Sequence, residues 1–186
     1  MIEKEEIDRI LKGYKRPKIA TCCSHSSLQI FHGAKQEGFG TFGVVTEKNV
    51  KFYKSFPNAS PDEMMEVHWF SDIVERAEEL VKNEVILIPH GSFVEYLGKK
   101  LDDLPVPVFG NRRSLAWERS RDNMFEWMRK AGFETPKVKR TGNIDVPSMV
   151  KFPGARGGRG YLIVRNQEEF ERKVDHSLKN GFITEE

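Results

Sequence analysis

Val85-Ile86-Leu87-Ile88-Pro89 is apolar throughout, with no polar side chain to turn toward water. A strand of that kind is buried on both faces, and such strands belong to parallel sheets covered by helices on either side. The residues before it alternate to match. Residues 3–13 place Ile7, Ile10 and Leu11 at helical spacing up to Gly13, and Lys18 to Cys23 reads as a short buried strand. The hydroxyls of Ser24, Ser26 and Ser27 suit the start of a helix over Leu28 to Gln36. Gly40 to Thr46 reads as a second strand. Ser71 to Lys82 reads as a helix with Ile73, Val74, Ala77, Leu80 and Val81 on one stripe. Strands alternating with helices predict an α/β fold with a parallel sheet over residues 1–110. Ligands in such sheets bind at the carboxyl ends of strands, where Ser24–Ser27 and His90–Ser92 both fall.

Leu104-Pro105-Val106-Pro107 reads as a crossover and a domain boundary, dividing residues 1–110 from 111–186. Beyond it, Ser114 to Ala131 predicts one amphipathic helix ended by Gly132. Met149 to Pro153 and Tyr161 to Val164 predict a hairpin around a glycine-rich loop, and Asn166 caps a last helix running to Lys179. The 186 residues suffice for one ordinary domain or two small ones. With 38% hydrophobic and 31% charged residues, the chain is neither collagen-like nor disordered. No apolar run reaches the roughly 18 residues of a membrane span. The opening Met1-Ile2-Glu3-Lys4-Glu5-Glu6 is acidic where a targeting peptide is basic. Cys22 and Cys23 are adjacent, a poor geometry for an unstrained bridge, and two thiols alone make no zinc site. The expectation is a cytoplasmic protein with reduced thiols and no membrane partner.

The net charge of +2 hides an uneven distribution. Residues 110–165 carry 13 basic and 5 acidic side chains, while the segments on either side are each net negative. Within that basic stretch, Gly154-Ala155-Arg156-Gly157-Gly158-Arg159-Gly160 joins strand to strand, unlike a Walker A or dinucleotide loop, which runs from strand into helix. Glycine lets backbone amides approach phosphate oxygens, and arginine adds charge-assisted hydrogen bonds. Lys151, on an otherwise apolar strand, calls for an anionic partner, and a nucleotide phosphate under the loop would supply one. His25, between serines, is a cap, a loop residue or a ligand contact. With His90, Gly91 and Ser92 it makes a cradle for a small phosphorylated ligand. A Ser-His-Asp hydrolase is disfavoured because no G-x-S-x-G elbow exists. Asn111-Arg112-Arg113 reads equally as a solvated turn and as a ligand contact. His32, His68 and His176 lack metal-ligand spacing, and Trp69, Trp117 and Trp127 read as core or interface anchors.

Four segments together resemble one family: Cys23-Ser24-His25-Ser26-Ser27-Leu28, Ile88-Pro89-His90-Gly91-Ser92-Phe93, Phe109-Gly110-Asn111-Arg112-Arg113, and the string from Val150 through Lys151 and the glycine-rich loop to Tyr161. It is the archaeal FAICAR synthetases, formate- and ATP-dependent ATP-grasp ligases of purine (IMP) biosynthesis, and the resemblance runs from the first helix to the last residue. It implies a Rossmann-like pre-ATP-grasp domain over 1–110, followed by an incomplete ATP-grasp domain over 111–186. The implied reaction phosphorylates formate with ATP and passes the formyl group to the 5-amino group of AICAR, giving FAICAR. By the same resemblance His25 and Ser92, with Ser26 and Ser27, bind AICAR. Lys151 and Gly154, Ala155, Arg156, Gly157, Gly158, Arg159, Gly160 and Tyr161 hold ATP, with Lys151 and Arg156 acting on the transferred phosphoryl group. Family members are about twice as long, and their Mg²⁺ ligands are expected in the second half. Glu185 and Glu186 are poor substitutes. A homo-oligomer is implied at full length.

Three readings stay open: an ATP-grasp ligase, a purine-nucleotide-binding paralogue or fragment without turnover, and a basic nucleic-acid-binding domain. The third is disfavoured because the arginines cluster with glycines rather than with exposed aromatics.

Overall fold

The computed structural model describes residues 1–138, 144–151 and 161–179, with side chains as far as 175. The chain parts into two compact units, Met1–Phe133 and Glu134–Glu186. The first opens with α1 (Lys4–Gly13), β1 (Lys18–Cys22), α2 (Ser27–Gln36), β2 (Thr41–Thr46), α3 (Val50–Lys54) and β3 (Glu63–Val67). It continues through α4 (Ala77–Lys82), β4 (Val85–Leu87), α5 (Phe93–Leu97), α6 (Lys100–Asp103), α7 (Arg112–Glu118) and α8 (Arg121–Lys130). The strands form one sheet in the order β3-β2-β1-β4, every pair parallel. Ala20, Cys22, Phe42, Val44, Met65, Val67, Val85 and Leu87 face the larger core, against Ile73, Leu80, Phe93, Leu97 and Leu101. The other face packs Cys23 and Val45 on Phe31 of α2 and Tyr53 of α3. Both faces are covered, as all-parallel sheets require.

Three elements differ from the sequence expectation, each for a local reason. β3 has only Met65 and Val67 buried, with Glu63 and Glu66 exposed, so this charged edge strand gives little apolar signal. The helix expected over Ser71–Lys82 is split. Asp72 accepts the amides of His68 and Trp69 and tightens Phe70–Val74 into a 3₁₀ turn before α4 begins. The helix expected over Ser114–Ala131 is also two. Ser120 has extended backbone, and its hydroxyl accepts the Asn123 amide as the cap of α8.

The proline-punctuated segment is not a linker. Leu104 and Val106 are buried, Leu87 donates its amide to the Pro107 carbonyl at 2.9 Å, and Val108 bridges to Leu87 in parallel. A fifth, abortive strand thus lies on the outer edge of β4, held to a single bridge because prolines cannot donate to a ladder. The guanidinium of Arg112 donates to the carbonyls of Leu101, Leu104 and Val106. Asn111 caps α7 by accepting the Arg113 amide. These contacts belong to the first unit, and the break between units comes at Phe133 and Glu134 rather than near residue 110.

The second unit contains the antiparallel hairpin β5 (Ser148–Lys151) and β6 (Tyr161–Val164), followed by α9 (Gln167–Lys179). The Asn166 side chain accepts the Glu169 amide and caps α9 as expected. The glycine-rich loop, together with Glu185, Glu186 and the His176 side chain, lies outside the described residues.

Gly43, in the middle of β2, leaves no room for a side chain. A Cβ there would stand 2.6 Å from Pro61 Cγ and 2.8 Å from Cys23 Sγ. Gly43→Ala is therefore expected to destabilise the fold by about 1–3 kcal/mol through overpacking. A lower urea midpoint at unchanged slope is the measurement that checks it.

Candidate functional site

β1 has β2 on one side and β4 on the other. The chain therefore leaves the sheet in opposite directions after β1 and after β4, and a crevice opens between their carboxyl ends. The segment after β1 supplies Ser24 and His25, and the segment after β4 supplies His90, Ser92 and, one helical turn on, Tyr96. Residues 67 apart in sequence meet there: Ser92 Oγ lies 3.0 Å from His25 Nδ1 and 3.3 Å from its Nε2. Ser24 Oγ lies 2.9 Å from the Tyr96 hydroxyl, 3.1 Å from His25 Nδ1 and 3.4 Å from His90 Nε2. His25 is exposed and adopts φ +42°, a left-handed conformation that non-glycine residues rarely take and that clusters at functional sites.

His90 supports this cluster from below. It is buried, its Nε2–H donates to the Cys22 carbonyl at 3.0 Å, and its Nδ1 accepts the Ser92 amide at 3.3 Å. Burial pulls its pKa below the ordinary histidine value, the Cys22 carbonyl opposes that shift, and the nearby His25 adds to it. His90 is thus a neutral imidazole with a fixed tautomer. Cys23, beside the site in sequence, is no nucleophile: burial pushes its thiol up to about 12.

The expected site residues separate into three groups. His25 and Ser92 come together. Ser26, the N-cap of α2, is exposed on the same turn and makes no side-chain capping bond. Ser27 does not join them: its side chain is buried and donates to the Tyr53 hydroxyl at 3.0 Å, anchoring α2 from beneath. Lys151 and Tyr161 are paired across β5 and β6 on a face they share with Met149 and Ile163, and all four side chains are exposed. Water therefore meets the Lys151 charge, contrary to the burial its apolar neighbours suggest. Gly154, Ala155, Arg156, Gly157, Gly158, Arg159 and Gly160 lie outside the described residues. Arg112 and Asn111 serve the fold, and Trp117 stacks on Trp127 under the Lys130 ammonium. Tyr96 escapes a motif-based reading. Its only signal is the four-residue spacing from Ser92, which puts it one turn further along α5 on the same face.

Among the described residues no group of three or more His, Cys, Asp or Glu side chains fits a metal ion. Among the same residues no helix is long and apolar enough to cross a membrane.

Fold and site together define an open parallel α/β domain with a polar crevice at its switch point. The chain belongs to the family described as "Protein of unknown function (DUF1246)", which matches residues 19–139. It is 48% identical over 183 residues to the 5-formaminoimidazole-4-carboxamide-1-(beta)-D-ribofuranosyl 5'-monophosphate synthetase of Methanothrix thermoacetophila, covering 96% of this chain and 51% of that protein. It is 49% identical over 191 residues to the protein of the same name from Methanosarcina acetivorans, covering 99% of this chain and 54% of the other. The chain thus spans about half the length of the curated relatives it matches. The solved structure of an IMP biosynthesis protein PurP from Thermococcus kodakaraensis is 31% identical with a TM-score of 0.58, over 79% of this chain and 49% of that one. An L-amino acid ligase from Bacillus licheniformis, 14% identical with a TM-score of 0.57 over 88% of this chain and 43% of that one, shares the fold. The resemblance carried by the sequence motifs is therefore shown, with the α/β fold it implies.

The state of His90 makes stability pH-dependent. Its folded pKa lies below the unfolded value of about 6.5, so between those two values the unfolded chain binds more protons than the folded one. The contribution is full above the unfolded value and drains away as the pH falls toward the folded one. Urea midpoints across that interval are expected to fall with acidification in the wild type and to fall less in His90→Gln.

Proposed function

We propose that this chain is the AICAR-holding part of an ATP- and formate-dependent ligase that makes FAICAR in purine biosynthesis. The observation that carries the reading is the meeting of His25 and Ser92 at the switch point of a parallel sheet, 3.0 Å apart. Relatives about half of whose length the chain spans, named for FAICAR synthesis, support it.

In this reading His25, Ser92 and Ser26 bind the phosphorylated imidazole nucleotide by hydrogen bonds from imidazole and hydroxyl groups. Ser27 acts one layer down, by fixing α2. The chemistry is formylation of the AICAR 5-amino group. A formate oxygen attacks the γ-phosphorus of ATP and ADP leaves. The amine nitrogen then attacks the formyl carbon, phosphate leaves, and the nitrogen gives up a proton. Lys151, Arg156 and Arg159 supply positive charge to the ATP phosphates, and Gly154 to Tyr161 supply close backbone amides. Mg²⁺ is assigned, by the family resemblance, to the part of the relatives' length that this chain does not span. Partners are then AICAR, formate and ATP, in the cytoplasm and in a homo-oligomer at full length, with no nucleic acid.

Two measurements test this. Calorimetry with AICAR is expected to show binding that His25→Ala weakens by about 1–3 kcal/mol, the worth of a hydrogen bond to a charged or polar ligand. Equal affinity for both proteins removes His25 from the site. Joined to the remaining length of a relative, the chain is expected to release ADP only with formate and AICAR both present, and Lys151→Ala abolishes that release. Failure of the joined protein to turn over, with AICAR still bound, leaves the purine-nucleotide-binding reading in its place.

A further inference from the structure

We infer that Tyr96 and Ser24 are positioning residues that act through His25, setting which ring nitrogen of His25 faces the ligand as an N–H donor. The inference rests on the reading of His25 as a ligand contact and deepens it.

The argument is a count of protons. Nε2 of His90 carries its hydrogen, because its nearest partner, the Cys22 carbonyl, only accepts, while Nδ1 is occupied by the Ser92 amide. Ser24 Oγ, 3.4 Å from that Nε2, stands where it takes a share of this hydrogen and gives none back. A serine hydroxyl has one proton and two lone pairs. With one lone pair toward His90, its proton goes either to Tyr96 at 2.9 Å or to His25 Nδ1 at 3.1 Å, and the other group must donate to Ser24. The two bonds are thus coupled in direction. A phenol is the more acidic hydroxyl and the better donor, so Tyr96 donates to Ser24 and Ser24 donates to His25 Nδ1. Ser92 Oγ stands 3.0 Å from Nδ1 and 3.3 Å from Nε2, so with Nδ1 filled by the Ser24 proton it accepts from Nε2, and His25 keeps its hydrogen there.

The placement of Tyr96 suits this task. Its ring lies 4.6 Å from that of Phe70, which leads out of β3, and its hydroxyl reaches across to the segment after β1. His25 lies in the left-handed backbone region, so a side chain held at Nδ1 by Ser24 and approached by Ser92 fixes a ring that the backbone alone holds at a cost. The result is an imidazole whose Nε2–H, resting against Ser92 Oγ in the ligand-free chain, turns to an acceptor oxygen of the ligand, such as a phosphate or ribose oxygen.

The test is a mutant cycle on the 186-residue chain with AICAR as the probe, together with the nitrogen-15 resonances of the His25 ring in ligand-free protein. Tyr96→Phe, which keeps the ring against Phe70, and Ser24→Ala are each expected to weaken AICAR binding about 3- to 10-fold, and Ser24→Thr to retain it. In a His25→Ala background, neither is expected to weaken binding further, since a residue acting through another loses its effect when that residue is gone. In the ligand-free protein both variants move the His25 Nδ1 resonance. Losses that add in the His25→Ala background, or an Nδ1 resonance unmoved in both variants, overturn the inference. If the wild type binds no AICAR, the substrate reading fails, and the Nδ1 resonance alone decides the relay.

Discussion

Everything at the site depends on β1 being paired on both sides. Its backbone bonds to β2 through Cys23, whose amide donates to Val44, and to β4 through Ile88, whose amide donates to Ala20. The Thr21 hydroxyl adds a further bond to the Ile88 carbonyl at 2.8 Å, inside the sheet and beside the crevice. These contacts fix how far the segments after β1 and β4 stand apart, about one strand spacing of 4.8 Å. Two side chains, His25 and Ser92, then close that gap directly. A slip of β4 by one residue would turn Ser92 and His90 to the wrong faces and dismantle the cluster without removing any residue from it.

The crevice is built from hydroxyl and imidazole donors and acceptors. Serine, tyrosine and an imidazole kept uncharged by burial hold one another, and the basic stretch of the sequence begins only at residue 110. Such a surface recognises shape and hydrogen-bonding pattern more than charge. Its geometry must therefore be held closely, because a neutral hydrogen bond weakens steeply with misalignment. The buried contacts under it, Ser27 with Tyr53 and His90 with Cys22, serve that stiffness.

Much of this was legible in the sequence, and the failures have physical causes. The apolar run at Val85 and its alternation with helices predicted the parallel sheet, and the strand-end rule predicted where His25 and Ser92 would meet. β3 was not legible, because an edge strand hides its two buried side chains among glutamates. Ser27, a ligand contact by the family resemblance, faces the core instead, because the way a serine in a helix's first turn points depends on a rotation that sequence does not set. The apolar strand around Lys151 suggests a buried charge in need of a partner, yet its side chain lies on an exposed face of the hairpin with Met149, Tyr161 and Ile163. Arg112 was equally a turn or a ligand contact. Only the folded chain shows three carbonyls waiting for it.

The adjacent cysteines carry one more consequence. Cys22 belongs to the core under α4, α5 and α6, and Cys23 to the core under α2 and α3, because neighbouring side chains on a strand point to opposite faces. They are chemically alike and one residue apart, but different helical layers shield them. A thiol reagent that reaches Cys22 reports the lifting of one layer, and one that reaches Cys23 reports the other. The pair thus acts as two clocks on a single strand, each timing the opening of its own side of the sheet.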